Sequence, residues 1–185
     1  MVYEKLIKGI FISLRSVEEK DAETILNWRT NENISKYLHK VENDVEKQKK
    51  WIREQQNREG DYYFLILDKK NNPVGTIGLY NINYQKAEAE FGRWISLSPI
   101  FALESCILIY EFGFENLYLN RIISRNVSDN IAVINFHKRF GASYVKDNIK
   151  EGEFIFTEYE ILKDNFKAIK EKNYNILYNF KKGNK

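Results

Sequence analysis

The sequence predicts a mixed α+β domain, a mixed sheet with helices packed against it, and three observations lead there. Short β-rich runs joined by turn residues imply hairpins. Later segments alternate strand, helix, strand, which requires crossovers rather than tight turns. The strand AEAEFGRWIS (87–96) alternates Glu88 and Glu90 against Ala87, Ala89 and Phe91 until Gly92 breaks the pattern. Such an interruption marks a β-bulge or a close backbone approach.

Taken in order, IFISLR (10–15) reads as a first short strand. SVEEKDAETILNWR then reads as a helix with Ser16 as N-cap and Glu19 completing a capping box, Ile25 and Trp28 sharing a face. NDVEKQKKWIREQQNR (43–58) is a charged second helix anchored by Val45, Trp51 and Ile52. YYFLILD (62–68), the turn KKNNP and VGTIGLYNI (74–82) form an antiparallel hairpin, and 87–96 adds a third strand. From Ala102 to Leu117, Leu103, Ile107, Tyr110 and Phe114 recur at steps of four and three, predicting a buried amphipathic helix. RIISRNV (121–127) is a strand, followed by a helix that carries His137 and stops at Gly141. SYVKD and FIFTEYEIL are two more strands, and the tail from Asp164 is a last helix with Phe166, Ile169, Tyr174, Leu177 and Phe180 roughly on one side.

With 185 residues, two prolines and no Gly/Ser-rich linker, the chain is expected to hold one domain over 1–163 with a helical tail over 164–185. A single cysteine, Cys106, excludes an internal disulfide and a cysteine-based zinc site. The start MVYEKLIKGIFISLRS lacks a signal-peptide pattern, and no apolar run approaches membrane-span length, so a soluble cytoplasmic domain is expected.

FENLYLNRI (114–122) followed by SRNVSDNIAVINFHKRFGA closely resembles the second half of GNAT-superfamily acetyltransferases of the RimJ/RimL-like branch. WRTNENISKYL is similar to that branch's W-R-N helix end, and FGRWIS to its x-G-Y/W-x-I strand. The resemblance covers roughly residues 10–163. It implies a mostly antiparallel sheet splayed at the bulged strand, helices on both faces, and acetyl-CoA as acyl donor with no metal.

The resemblance also implies where the donor lies. Its pantetheine arm would pair with the backbone of Trp94, Ile95 and Ser96, like an added strand. Its pyrophosphate would meet backbone N–H groups of Ile100, Phe101, Ala102 and Leu103 at a helix start. Here the chain departs from the family loop R/Q-x-x-G-x-G/A, for Leu97-Ser98-Pro99-Ile100-Phe101-Ala102 retains only the final small residue. Many relatives carry a thiolate-protonating tyrosine seven residues after a helix-start Asn. Counting from Asn130, that place holds His137, which can act as an acid when protonated. The residue reads equally as a core histidine beside Val133 and Phe140, and Asn130 as a plain helix cap.

For the base, Glu90 is favoured over Glu88 because it lies closer to the bulge, although alternating Glu also marks a solvent face. The oxyanion donor would be a backbone N–H near Trp94. On the acceptor side the resemblance implies Trp28, Arg29, Asn31 and Tyr80, with Arg29 able to bind phosphate or carboxylate bidentately. The expected activity is N-acetylation of a small-molecule primary amine, leaning to a nucleotide-linked amino sugar. Protein N-terminal or polyamine acetylation and a non-catalytic binding module are the alternatives. Nucleic-acid and membrane partners are not expected, and the chain is expected to be a monomer or homodimer. The tail lysines Lys163, Lys167, Lys170, Lys172, Lys181, Lys182 and Lys185, set against Asp164 and Glu171, leave an interaction role open for that helix.

Overall fold

The computed structural model describes residues 1–183; the last two residues of the expected tail, Lys185 among them, lie outside the described residues. Eight strands form one sheet in the order β1-β2-β3-β4-β5-β6-β8-β7. They are β1 (Ile7–Lys8), β2 (Ile12–Ser16), β3 (Tyr62–Asp68), β4 (Pro73–Asn83), β5 (Glu88–Ser96), β6 (Arg121–Val127), β7 (Ser143–Glu151) and β8 (Phe154–Leu162). The helices are α1 (Ala22–Thr30), α2 (Glu32–Ser35), α3 (Val45–Gln56), α4 (Pro99–Glu111), α5 (Ile131–Arg139) and α6 (Lys163–Gly183). β1 with β2, β2 with β3, β3 with β4, β6 with β8 and β7 with β8 pair antiparallel, whereas β5 and β6 run parallel from Glu88–Arg121 to Phe91–Ser124. A parallel neighbour cannot be reached by a tight turn, and α4 supplies the crossover between these two strands.

The chain divides into two compact units, residues 1–81 with 92–108 and residues 82–91 with 109–185. In the first, Val17, Ala22, Ile25, Ile52, Tyr63, Leu65 and Leu67 form a buried cluster, with Trp28, Val45 and Trp51 packed against it. Tyr62, Phe64 and Ile66 on the alternate positions of β3 are buried as well, so this strand is covered on both faces and reads as a continuous apolar run. In the second, an aromatic cluster forms the centre. Tyr110 lies 5.6 Å from both Phe140 and Phe166, and Phe114 lies 5.5 Å from Phe166.

Two expectations are corrected here. Ser16 does not cap the first helix: its Oγ accepts from Tyr3 N at 2.8 Å and donates to Tyr3 O at 3.1 Å, closing β2. A 3-10 turn over Glu19–Asp21 opens the helix instead, with Asp21 Oδ2 accepting from Glu18 N at 2.8 Å. The helix expected over 102–117 is buried on every side rather than amphipathic, since Glu104 through Tyr110 are buried without a break. It ends at Glu111 and loosens into a π turn over Phe112–Asn116.

Candidate active site

Helix α5 begins where the sequence places it. The Asn130 side chain accepts from Val133 N at 3.4 Å, so its carbonyl oxygen serves as the cap. One turn from the helix end, the His137 ring is 0% exposed, edge-on to Phe91 at 5.0 Å. Its Nδ1 lies 3.0 Å from Tyr110 Oη. Burial pushes its pKa down from 6.5 to about 4, so the imidazole is neutral at neutral pH. The ring's surroundings thus favour the uncharged form over the protonated one.

Strand β5 sets Glu88 and Glu90 on one face, both half-buried. Glu88 accepts from Arg121 Nη1 at 2.9 Å, and Arg121 Nε reaches Glu160 at 2.5 Å, so Glu88 belongs to an ion network across the sheet. Glu90 is the carboxylate nearer the bulge and contributes to the field at Arg125.

At the expected bulge, the backbone irregularity involves a residue the sequence reading passed over. Arg93 has φ 52°, in the left-handed region that side chains rarely adopt. Preceding it, Gly92 leaves room for Tyr80 Oη, which a Cβ there would displace. The Arg93 guanidinium binds both oxygens of Asp61, at 2.5 and 2.9 Å, and stacks on Tyr80 at 4.3 Å and Trp51 at 5.1 Å. Beyond the bulge, Trp94 Nε1 donates to Ser105 Oγ at 3.3 Å, Ile95 is buried, and Ser96 Oγ donates to Ser98 O at 3.0 Å.

At the start of α4, Ala102 N already bonds Ser98 O at 2.9 Å. Pro99 has no N–H, and the helical repeat turns Leu103 N–H inward as well. The stretch of amides able to meet an anion thus narrows from the expected four to Ile100 and Phe101. Deeper in the helix, Glu104 is 0% exposed. Its carboxylate accepts from Ile10 N, from Phe11 N at 2.8 Å and from Ile12 N at 2.9 Å. Burial pushes its carboxyl up, and the three N–H groups oppose that. An acid inside so apolar a stretch was the available signal that it has fixed partners.

On the acceptor side, Trp28 packs against the apolar cluster, as a core tryptophan does. Asn31 caps α2, its Oδ1 accepting from Asn33 N at 3.0 Å. Tyr80 supports the bulge through Arg93 and Gly92. Arg29 donates from Nη2 to His39 O at 2.7 Å, while its Nε is buried with no partner among the described residues. Burial lowers its pKa; Tyr63 acts to raise it and Arg93 to lower it further. Among the described residues no group of three or more His, Cys, Asp or Glu could hold a metal. Among the described residues no helix is long and apolar enough to cross a membrane.

The family described as acetyltransferase (GNAT) domain matches residues 12–143. Among solved structures, an apo FdhC described as a nucleotide-linked sugar GNAT is 30% identical, with TM-score 0.81 over 94% of this chain and 98% of that one. A spermidine N-acetyltransferase from Vibrio cholerae, solved with CoA and spermine, is 21% identical with TM-score 0.74, covering 84% and 97%. A GCN5-related N-acetyltransferase from Brucella melitensis is 16% identical with TM-score 0.78, covering 95% and 86%. Curated protein sequences give no significant match.

Proposed function

This chain belongs to the GNAT acetyltransferase family, and from that premise we propose that it transfers an acetyl group from acetyl-CoA to the primary amine of a nucleotide-linked amino sugar. The observation that carries the acceptor assignment is Arg29, a half-buried residue whose Nε is buried with no partner among the described residues and whose charged neighbour is a second arginine. Asp61, the buried carboxylate of that region, is already bound by Arg93 and Arg58. A polycation would approach two arginines beside an acid they already occupy, whereas a diphosphate would meet the guanidinium fork. The 30% identity to a nucleotide-linked sugar GNAT supports the same reading.

In this reading the donor's pantetheine arm pairs with the backbone of Trp94 to Ser96, and Ile100 and Phe101 N–H hold its pyrophosphate. Glu90 takes the amine proton as nitrogen attacks the thioester carbon, and Trp94 N–H receives the developing oxyanion. The C–S bond then breaks, and the proton lost by the amine is balanced by the one gained at the CoA thiol. Neutral His137, with Nδ1 engaged by Tyr110, offers an N–H to the departing sulfur as a hydrogen-bond donor rather than as an imidazolium acid.

The test measures CoA release with nucleoside-diphosphate amino sugars, the matching free amino sugars and spermidine. The nucleotide-linked acceptors are expected to give the highest kcat/KM. Arg29→Ala should raise their KM by roughly tenfold or more, with little change for free sugars, because one charge-assisted contact is lost. Equal or better turnover of spermidine would overturn the acceptor class. Tight CoA binding without turnover of any amine would instead favour a binding module.

A further inference from the structure

Arg93 enters the acceptor argument only through its charge, yet both its backbone and its side chain are fixed. Its φ of 52° places it in a conformation that persists in a non-glycine residue only where the surroundings impose it. Those surroundings are visible. The guanidinium is forked onto Asp61, which is 1% exposed, and lies over the rings of Tyr80 at 4.3 Å, Trp51 at 5.1 Å and Tyr63 at 5.6 Å. Its carbonyl oxygen accepts from Thr76 Oγ1 at 2.8 Å. That last bond matters because a trans peptide is planar, with C=O and N–H pointing opposite ways. Holding Arg93 O on Thr76 therefore fixes the direction of the N–H at the other end of the same plane, which belongs to Trp94.

We infer that Arg93, clamped by Asp61 and Thr76, is the positioning residue that aims the Trp94 N–H at the thioester oxygen. The inference rests on the acetyl-transfer reading and adds a component to it. An oxyanion donor must be in place before charge develops, since reorientation at that moment would consume the stabilisation it provides. A glycine at 93 would reach the left-handed conformation more readily but would leave the peptide plane without its side-chain anchor. Here an arginine holds that conformation, anchored through its own side chain.

Three variants separate positioning from mere support. Arg93→Gly relieves the backbone strain and removes the clamp; Arg93→Lys keeps the charge and loses the fork. Thr76→Val removes only the hydroxyl that holds the carbonyl. We expect Arg93→Gly to lower kcat by about 100-fold, the usual effect of losing one oxyanion donor. The CoA dissociation constant should stay within about threefold, because the pyrophosphate contacts lie elsewhere. Thr76→Val should show the same split, more weakly, and it serves as the reporter if Arg93→Gly does not fold. Turnover within threefold of wild type in whichever of these variants folds would overturn the inference. So would parallel losses of kcat, CoA affinity and unfolding midpoint, which mark a structural role. A wild-type protein that acetylates no amine would sink the acetyl-transfer reading itself, a different result from an active wild type beside equally active variants.

Discussion

At His137, position and chemistry come from different levels of the molecule. Its place seven residues beyond Asn130 is legible in the sequence, because the cap fixes the helical register. Its charge state is not, because that depends on Phe91 and Tyr110, which reach the ring from other elements. A neutral buried histidine has a pH signature whose sign is definite. Its folded pKa, about 4, lies below the 6.5 of the unfolded chain, so between those values the unfolded state binds the proton and the folded state does not. Its contribution is intact above about pH 6.5 and is lost as pH falls toward 4, on the order of 3 kcal/mol in total. Urea unfolding from pH 7.5 to 4.5 should therefore show a shallower acid loss for His137→Phe than for wild type. Identical slopes would mean that the ring is protonated in the fold. The catalytic counterpart is a kcat that does not fall between pH 6.5 and 8; a decline there with a histidine-like midpoint would restore the imidazolium acid.

Strands rich in β-branched and aromatic residues were readable from local pattern, and α4 was not. Tyr62–Asp68, Arg121–Val127 and Phe154–Leu162 fall where their β-branched and aromatic runs put them. In α4, sampling every third or fourth residue finds an apolar stripe but overlooks the apolar residues between, so the helix looked amphipathic and is buried all round. The same helix carries the segment proposed to hold the pyrophosphate, and Glu104 ties it to the turn between β1 and β2 through three backbone N–H groups. Gly9 leaves room for the carboxylate, since a Cβ there would come within 2.6 Å of Oε1. That partner turn is remote in sequence, which is why the strut could not be read. Glu104→Gln would set an NH2 donor against N–H donors and leave a buried group unsatisfied, loosening the first turn of α4. The expected outcome is a KM for acetyl-CoA raised roughly tenfold, equivalent to about one such bond. S-acetyl-pantetheine, which lacks the pyrophosphate, should be used as well by the variant as by wild type. Equal losses on both thioesters would detach Glu104 from the phosphate segment.

Across the whole molecule, the tail raises the question of whether residues after 163 decorate a finished domain or complete one. Its apolar side was legible as a helical stripe, but the residues it meets were not. Phe166 is 1% exposed and packs on Tyr110 and Phe114, and Leu177 is fully buried. Lys170, which in the sequence had only Asp164 and Glu171 as nearby acids, binds Glu111 and Glu115 at 2.7 Å each. Tyr174 Oη donates to Glu111 at 3.0 Å. These surface pairs contribute little, so the stability that α6 adds rests on Phe166 and Leu177. Removing a buried phenylalanine side chain costs about 3–5 kcal/mol in transfer energy and residual cavity, a large part of the stability of a domain this size. Phe166→Ala should accordingly lower the unfolding free energy by that amount, read as a lower urea midpoint with one cooperative transition and an unchanged denaturant slope. Lys170→Ala, at the rim of the same contact, should cost under about 1 kcal/mol. A helix that merely decorates the fold would give the opposite order, with Phe166→Ala nearly silent and the 1–163 chain unfolding at the full-length midpoint.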